Sequence, residues 1–243
     1  MAPPPHLTVV VPAHNESALL PGCLDSVARA AARARVHAEV VVVANRCTDD
    51  TAAVAVATGA RVVEDDRRNL SAVRNAGIAA ARGTVVVTVD ADCRVHPDTL
   101  RLAAGFLAGG GHVGGAVRVR PERRSAGILA SYAVVDLLTA VTGLGGGVFW
   151  AGRRDLEAIG GFDESLLVAE DLDLARRLRR HGRRSGRRFT VLRSCPVVAS
   201  CRKFDHYGDW HMFGLARDLR AVRASAGGRD TTWVDEYFFD FNG

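Results

Sequence analysis

Two aspartates one residue apart, Asp90 and Asp92, follow directly on the apolar run 84–89. On an extended segment, residues i and i+2 point to the same side. Two carboxylates held together outside a buried strand are costly unless a cation neutralises them. A few hard oxygen ligands suit Mg²⁺ or Mn²⁺ shared with phosphate oxygens. A second acidic pair, Glu170-Asp171, follows the segment Gly160-Gly161-Phe162-Asp163-Glu164 and opens a predicted helix. A carboxylate there can act as general base toward an acceptor hydroxyl. Each pair also has a bland reading. The first could be a solvated turn, and the second a pair of acids drawn to the positive end of a helix.

The surrounding pattern decides between these readings. Apolar runs at 7–11, 39–43, 61–63 and 84–89 read as strands buried on both faces. Between them lie helical patterns over 17–35, from a Thr48 cap to Gly59, and over 70–82. Another helix runs from His96-Pro97-Asp98 to about 107. Alternation of this kind predicts an α/β fold, a mostly parallel Rossmann-like sheet with helices on both faces and right-handed crossovers. Ligands bind such sheets beyond the carboxyl ends of the strands. Three of those ends are polar: Pro12-Ala13-His14-Asn15-Glu16, Asn45-Arg46-Cys47-Thr48-Asp49 and Asp90-Ala91-Asp92. No GxGxxG or GxxxxGK[ST] loop is present, so a phosphate ligand needs a metal or side-chain cations. Beyond 111 the alternation loosens. Strands are expected at 113–119, 148–151 and 189–192, with a helix over 170–180. The segment 125–152 has Asp136 as its lone charged residue and is long enough to span a bilayer. Asp136 and the glycines at 143, 145, 146 and 147 make it instead a buried helix over 126–142 and a turn.

In this order the motifs resemble the family 2 glycosyltransferases of the GT-A fold. VVVPAHNE is similar to the family's opening strand and donor loop, and VVVVANRCTDDT stands where VVDDGSxDxT is usual. RNLSAVRNAGIAAARG resembles its middle helix, VVVTVDAD its DxD metal motif, and VFWAGRRDLEAIGGFDESLLVAEDLDLARRLRRHG its acceptor-side segment. The resemblance covers roughly 7–182. It implies an inverting transfer from a nucleoside-diphosphate sugar to an acceptor hydroxyl. Asp171 would be the base, with Glu170 beside it. Glu16 would hold the ribose, the Pro12-Ala13 backbone would line the base pocket, and Arg74 would support the donor side. Asp90, next to Ala91, would approach the ribose, and Asp92 would ligate Mn²⁺ or Mg²⁺. Many enzymes of this fold add a late histidine to the metal; His206 and His211 are the candidates. One departure stands out. Ala44-Asn45 replaces the usual Asp-Asp, and an Asn carbonyl both tolerates and weakens the case for uracil. A UDP-sugar is the first choice, with guanosine and thymidine diphosphosugars open.

The chain of 243 residues reads as one domain, with 7–110 binding the donor and 111–243 serving the acceptor. Five cysteines without a CxxC pair argue against a zinc cluster and fit a reducing compartment. The MAPPPHL start shows no basic-then-apolar leader, and a cytoplasmic location is the expectation. The formal charge of +5 and the arginine-rich run 176–188 suit an anionic partner. That run lacks the interleaved aromatics of nucleic-acid binding. A solvated face, or contact with lipid headgroups at the inner membrane face, is the preferred reading. Two rivals to sugar transfer are a noncatalytic nucleotide-sugar or partner-binding module and an arginine-rich nucleic-acid binder. Trp210 is expected in the core. The aromatic segment from Trp233 is expected to fold over the acceptor side or meet a second subunit.

Overall fold

The computed structural model describes residues 6–145, 147–166 and 169–217. Along the chain run β1 (Leu7–Ala13), α1 (Leu20–Ala34), β2 (Ala38–Ala44), α2 (Thr51–Ala57), β3 (Arg61–Glu64), α3 (Leu70–Ala80), β4 (Val85–Thr88) and β5 (Cys93–Arg94). Then come α4 (Thr99–Ala108), β6 (His112–Pro121), α5 (Ala126–Thr142), β7 (Val148–Gly152), α6 (Arg153–Ala158), α7 (Glu170–Arg184), β8 (Arg188–Ala199), α8 (Arg202–Tyr207) and α9 (His211–Arg217). The strands form one sheet in the order β3-β2-β1-β4-β7-β6-β8-β5.

The first half is parallel, as the unbroken Val-rich runs require. β1 pairs β2 and β4, and β2 pairs β3, all parallel. Beyond β4 the sheet turns mixed: β7 runs antiparallel between β4 and β6. β6 and β8 are parallel, and β5 closes the far edge antiparallel to β8. Both faces are covered. One apolar cluster joins β1, α1 and α4 around Trp150; the other joins β2, α3 and α7 around Phe149 and Phe162. α3 lies so close to the sheet that a Cβ on Gly77 would stand 2.2 Å from a Val10 methyl. Only glycine fits there.

Three expectations need correction. Thr48 does not cap α2, which begins at Thr51 after Asp50. The Thr48 amide instead donates to Asn15 Oδ1 at 2.8 Å. Asp49 accepts from the backbone amides of both Ser17 and Thr51, tying the first polar strand end to the second. These hydrogen bonds hold its carboxyl down at about 2 despite its partial desolvation. Secondly, α5 forms over the predicted residues but is not buried. Its buried residues are Gly127, Ile128 and Ser131, while Leu137, Leu138 and Val141 are exposed. The glycine turn sends the chain back into β7 before the second half of the helix meets the core. Thirdly, Trp210 is exposed. Among the described residues no helix is long and apolar enough to cross a membrane.

Much of the arginine run is structural. Arg177 donates to the Ile159 and Gly161 carbonyls, and Arg187 binds Asp155 with both terminal nitrogens. The aromatic segment from Trp233 lies outside the described residues.

Candidate active site

The carboxyl ends of β1, β2 and β4 open into one cleft. Pro12, Ala13, Glu16, Asn45, Arg74, Asp90, Ala91, Asp92, Glu170 and Asp171 line it, joined by His14, Leu70, Val73, Arg202 and Lys203. All the site residues named from sequence meet here except the two candidate histidines, His206 and His211.

α3 is the organising element. Asn69 caps it by accepting from the Ala72 amide at 2.8 Å. Little more than one turn of helix then places Arg74 on the buried face, 2% exposed. Its guanidinium reaches Glu170 at 2.9 Å, Asp171 at 3.1 Å and Asp90 at 2.9 Å. The Phe162 ring lies 5.1 Å below it, a cation–π distance. Burial alone would favour loss of the proton, but the three acids raise the Arg74 pKa further. The next residue, Asn75, clamps the segment at Phe162 and Glu164. It accepts from the Phe162 amide at 2.8 Å and donates to the Phe162 carbonyl and Glu164, each at 2.9 Å. One helix therefore fixes both Asp90 and the Glu170-Asp171 pair.

Asp171 sits in the first turn of α7. One oxygen meets Arg74; the other accepts from the Gly147 amide at 2.7 Å. Gly147 has φ of +86°, which glycine adopts without strain. The glycine-rich turn after α5 thus supplies a donor to the acid. Burial raises the Asp171 pKa, Arg74 opposes this, and Asp90 adds to it. Burial and Asp171 likewise raise Glu170. A raised carboxyl in a cleft is suited to proton transfer near neutrality.

Asp92 is also raised, first by burial and then by Asp90. Arg202 approaches it at 3.6 Å. Arg202 is drawn mainly to Glu16, which it binds with both terminal nitrogens, one at 2.8 Å. Lys203 also lines the cleft, and burial pulls its ammonium down to about 8. Sequence reading missed Arg202 and Lys203. They arrive because β8 pairs antiparallel with β5, Ala199 against Cys93, and the Ser200 amide donates to the Asp92 carbonyl at 3.1 Å. No local motif carries that pairing.

Asn45 is 3% exposed. Its amide donates to the carbonyls of Asp65 at 2.5 Å and Arg67 at 2.9 Å. Two carbonyl acceptors fix the nitrogen, so the carboxamide oxygen is the face left for other contacts. The same pairing explains asparagine at this position: an aspartate would set a carboxylate against two carbonyl oxygens. Asn45→Asp is expected to cost about 1–3 kcal/mol of stability in urea unfolding. An unchanged midpoint would show that these two hydrogen bonds contribute nothing.

His206 is exposed on α8, its ring edge-on to Tyr207 at 4.5 Å, and does not line the cleft. His211 Nδ1–H donates to the Gly208 carbonyl at 2.9 Å, and the ring packs edge-on to Phe204. No group of three or more His, Cys, Asp or Glu able to hold a metal occurs among the described residues. Asp92 nevertheless fits a divalent cation: it is half-buried, held above the usual carboxylate range by desolvation and by Asp90, and met by Arg202 at 3.6 Å. Asp90 fits less well, since Arg74 occupies one of its oxygens.

The family model described as "Glycosyl transferase family 2" matches residues 8–139. The chain belongs to this family. An uncharacterized glycosyltransferase of Mycobacterium tuberculosis is 41% identical over 86 residues, 35% of this chain and 36% of that protein. The succinoglycan biosynthesis protein ExoO of Rhizobium meliloti is 39% identical over 101 residues, 40% of this chain and 28% of that protein. The chain thus matches about a third of the length of these curated relatives. Among solved structures, a mannosyltransferase from Pyrobaculum calidifontis in complex with GDP-Man and Mn²⁺ superposes with a TM-score of 0.64 at 25% identity, over 81% of this chain and 57% of that one. Glucosyl-3-phosphoglycerate synthase from Mycobacterium tuberculosis shares the fold, with a TM-score of 0.57 at 23% identity over 94% of this chain and 82% of that one. The GT-A fold of family 2 members is therefore the fold of this chain.

Proposed function

We propose that this chain transfers a sugar from a nucleoside-diphosphate sugar to an acceptor hydroxyl, with inversion at the anomeric carbon. One observation carries the reading: a cleft at the carboxyl ends of three parallel strands gathers Asp92, Asp90 and Asp171, with Arg74 bridging the last two. Family membership and the likeness to a mannosyltransferase solved with GDP-Man and Mn²⁺ support the donor class.

In this reading the acceptor hydroxyl gives its proton to the Asp171 carboxylate as its oxygen bonds to the anomeric carbon. The bond from that carbon to the diphosphate oxygen breaks, and the nucleoside diphosphate leaves with the electron pair. The Gly147 amide and Arg74 orient Asp171 toward the acceptor, and Glu170 adds negative charge beside it. Asp92 would hold Mn²⁺ or Mg²⁺, which when bound supplies positive charge to the diphosphate. Arg202 and Lys203 line the same wall and add cationic character where the diphosphate would lie. Pro12, Ala13 and the Asn45 carboxamide oxygen form the base side, where an acceptor suits a base N–H. A UDP-sugar remains first choice, and the guanosine class stands beside it. The Glu16 carboxylate is engaged by Arg202, so its contact with ribose requires that pair to share or part.

Titration calorimetry with nucleoside diphosphates tests the donor side. Binding should strengthen with Mn²⁺ in the parent chain, and Asp92→Ala should abolish that metal dependence. Equal affinity in the two proteins, with and without Mn²⁺, would refute the role of Asp92.

A further inference from the structure

We infer that α5 is a membrane-docking element, which seats this chain on the surface of an anionic lipid bilayer. Its 17 residues carry one charged side chain, Asp136, and Arg118 of β6 neutralises it at 2.9 Å. The second half of the helix is apolar on nearly every side and stands out of the core. Leu137 is 64% exposed, Leu138 58% and Val141 77%. A helix apolar all round requires cover, and contiguous exposed apolar surface of this kind marks an interaction site. Past its N-terminal end the apolar surface continues. The exposed Trp210 would stand 3.0 Å from a Cβ on Gly127, and Phe213 follows with its ring 5.6 Å from that of Trp210.

Charge at the two ends selects the occupant. Before α5 stands the exposed Arg124. At its C-terminal end Arg179 donates to the Thr142 carbonyl at 2.6 Å. The exposed Arg176 and Arg183 flank Arg179 on the same face of α7, at helical spacing. An apolar helix with arginines at both ends matches acyl chains below acidic headgroups. A second copy fits worse. Packing α5 on its own image brings arginine ends against arginine ends in either orientation, and like charges across an interface oppose association. The consequence for chemistry rests on the transfer reading above. α5 leads into the turn whose Gly147 amide holds Asp171, so docking turns the acceptor side toward headgroups and favours a lipid-borne hydroxyl.

Flotation of the full chain with phosphatidylcholine vesicles, with and without phosphatidylglycerol, tests the docking by itself and involves no nucleotide. The chain should float with the anionic vesicles and much less with the neutral ones. L137S/L138S/V141S should lower partition at least ten-fold while keeping the parent's thermal midpoint and its affinity for nucleoside diphosphate. R124S/R176S/R183S should lose about five-fold per arginine removed, and with it the preference for phosphatidylglycerol. No flotation of the full chain overturns the proposal. If light scattering then finds a dimer that L137S/L138S/V141S dissociates, a second copy covers α5. If flotation appears only on removal of residues 218–243, that segment covers it. Loss of nucleotide affinity in the parent chain would count against the transfer reading and leave docking intact.

Discussion

Asp171→Asn is expected to lower turnover by about 10²–10⁴-fold, the range a positioned general base supplies, without destabilising the fold. The two halves of this result have one cause. Burial, with Asp90 adding to it, raises the Asp171 pKa above the ordinary carboxylate value despite the opposing pull of Arg74. A group raised in the folded state stabilises it while protonated. That contribution is present at low pH and is lost as pH rises through the folded pKa. At neutral pH the ionised Asp171 is therefore a burden on the fold, and asparagine removes it. The thermal midpoint should hold or rise as activity falls. Because the carboxylate form is the base, the acidic limb of kcat/KM should lie above the usual carboxylate range, and Asp171→Asn should erase it. Near-normal turnover in a folded Asp171→Asn protein would end the base assignment. A collapse of the midpoint would show instead that the carboxylate holds the site together.

Arg74→Met is expected to have the opposite profile, with a loss of stability of about 3–5 kcal/mol at neutral pH. Arg74 is the cation shared by Asp90, Glu170 and Asp171. Methionine fills the space over Phe162 but leaves three acids facing one another without a counter-charge. Without Arg74, which opposes the rise, the Glu170 and Asp171 pKa values move further up. The variant's stability should fall as pH rises, and its deficit relative to the parent should shrink as pH falls and these two acids take up protons. Urea unfolding at two pH values reads this directly. A deficit under about 1 kcal/mol, or one that does not change with pH, would show that the guanidinium is replaceable by packing alone. Activity should fail as well, since the same guanidinium orients Asp171.

The parallel half of the fold was legible because its signals are local. Unbroken valine runs at β1, β2 and β4 have to be buried on both faces, and the polar residues that end them have to lie at one rim. Asp90, Asp92, Glu16 and Asn45 were found that way. Asp171 required the resemblance, since an acid in the first turn of a helix is common. The cap at α2 was misplaced because Thr48 has a competing partner, Asn15, 33 residues away. The burial of α5 was misread because composition reports what a helix contains and not what faces it.

Residue order alone settled the family, the parallel first half and the acids of the cleft, because strand burial and the turn after each strand are decided within about ten residues. Tertiary structure decided which cation each acid meets. Arg74 crosses from α3 to three acids, two of them nearly a hundred residues away, and the β5–β8 pairing delivers Arg202 and Lys203 to Asp92. Charge pairing depends on distance through space, and periodicity along the chain holds no record of it.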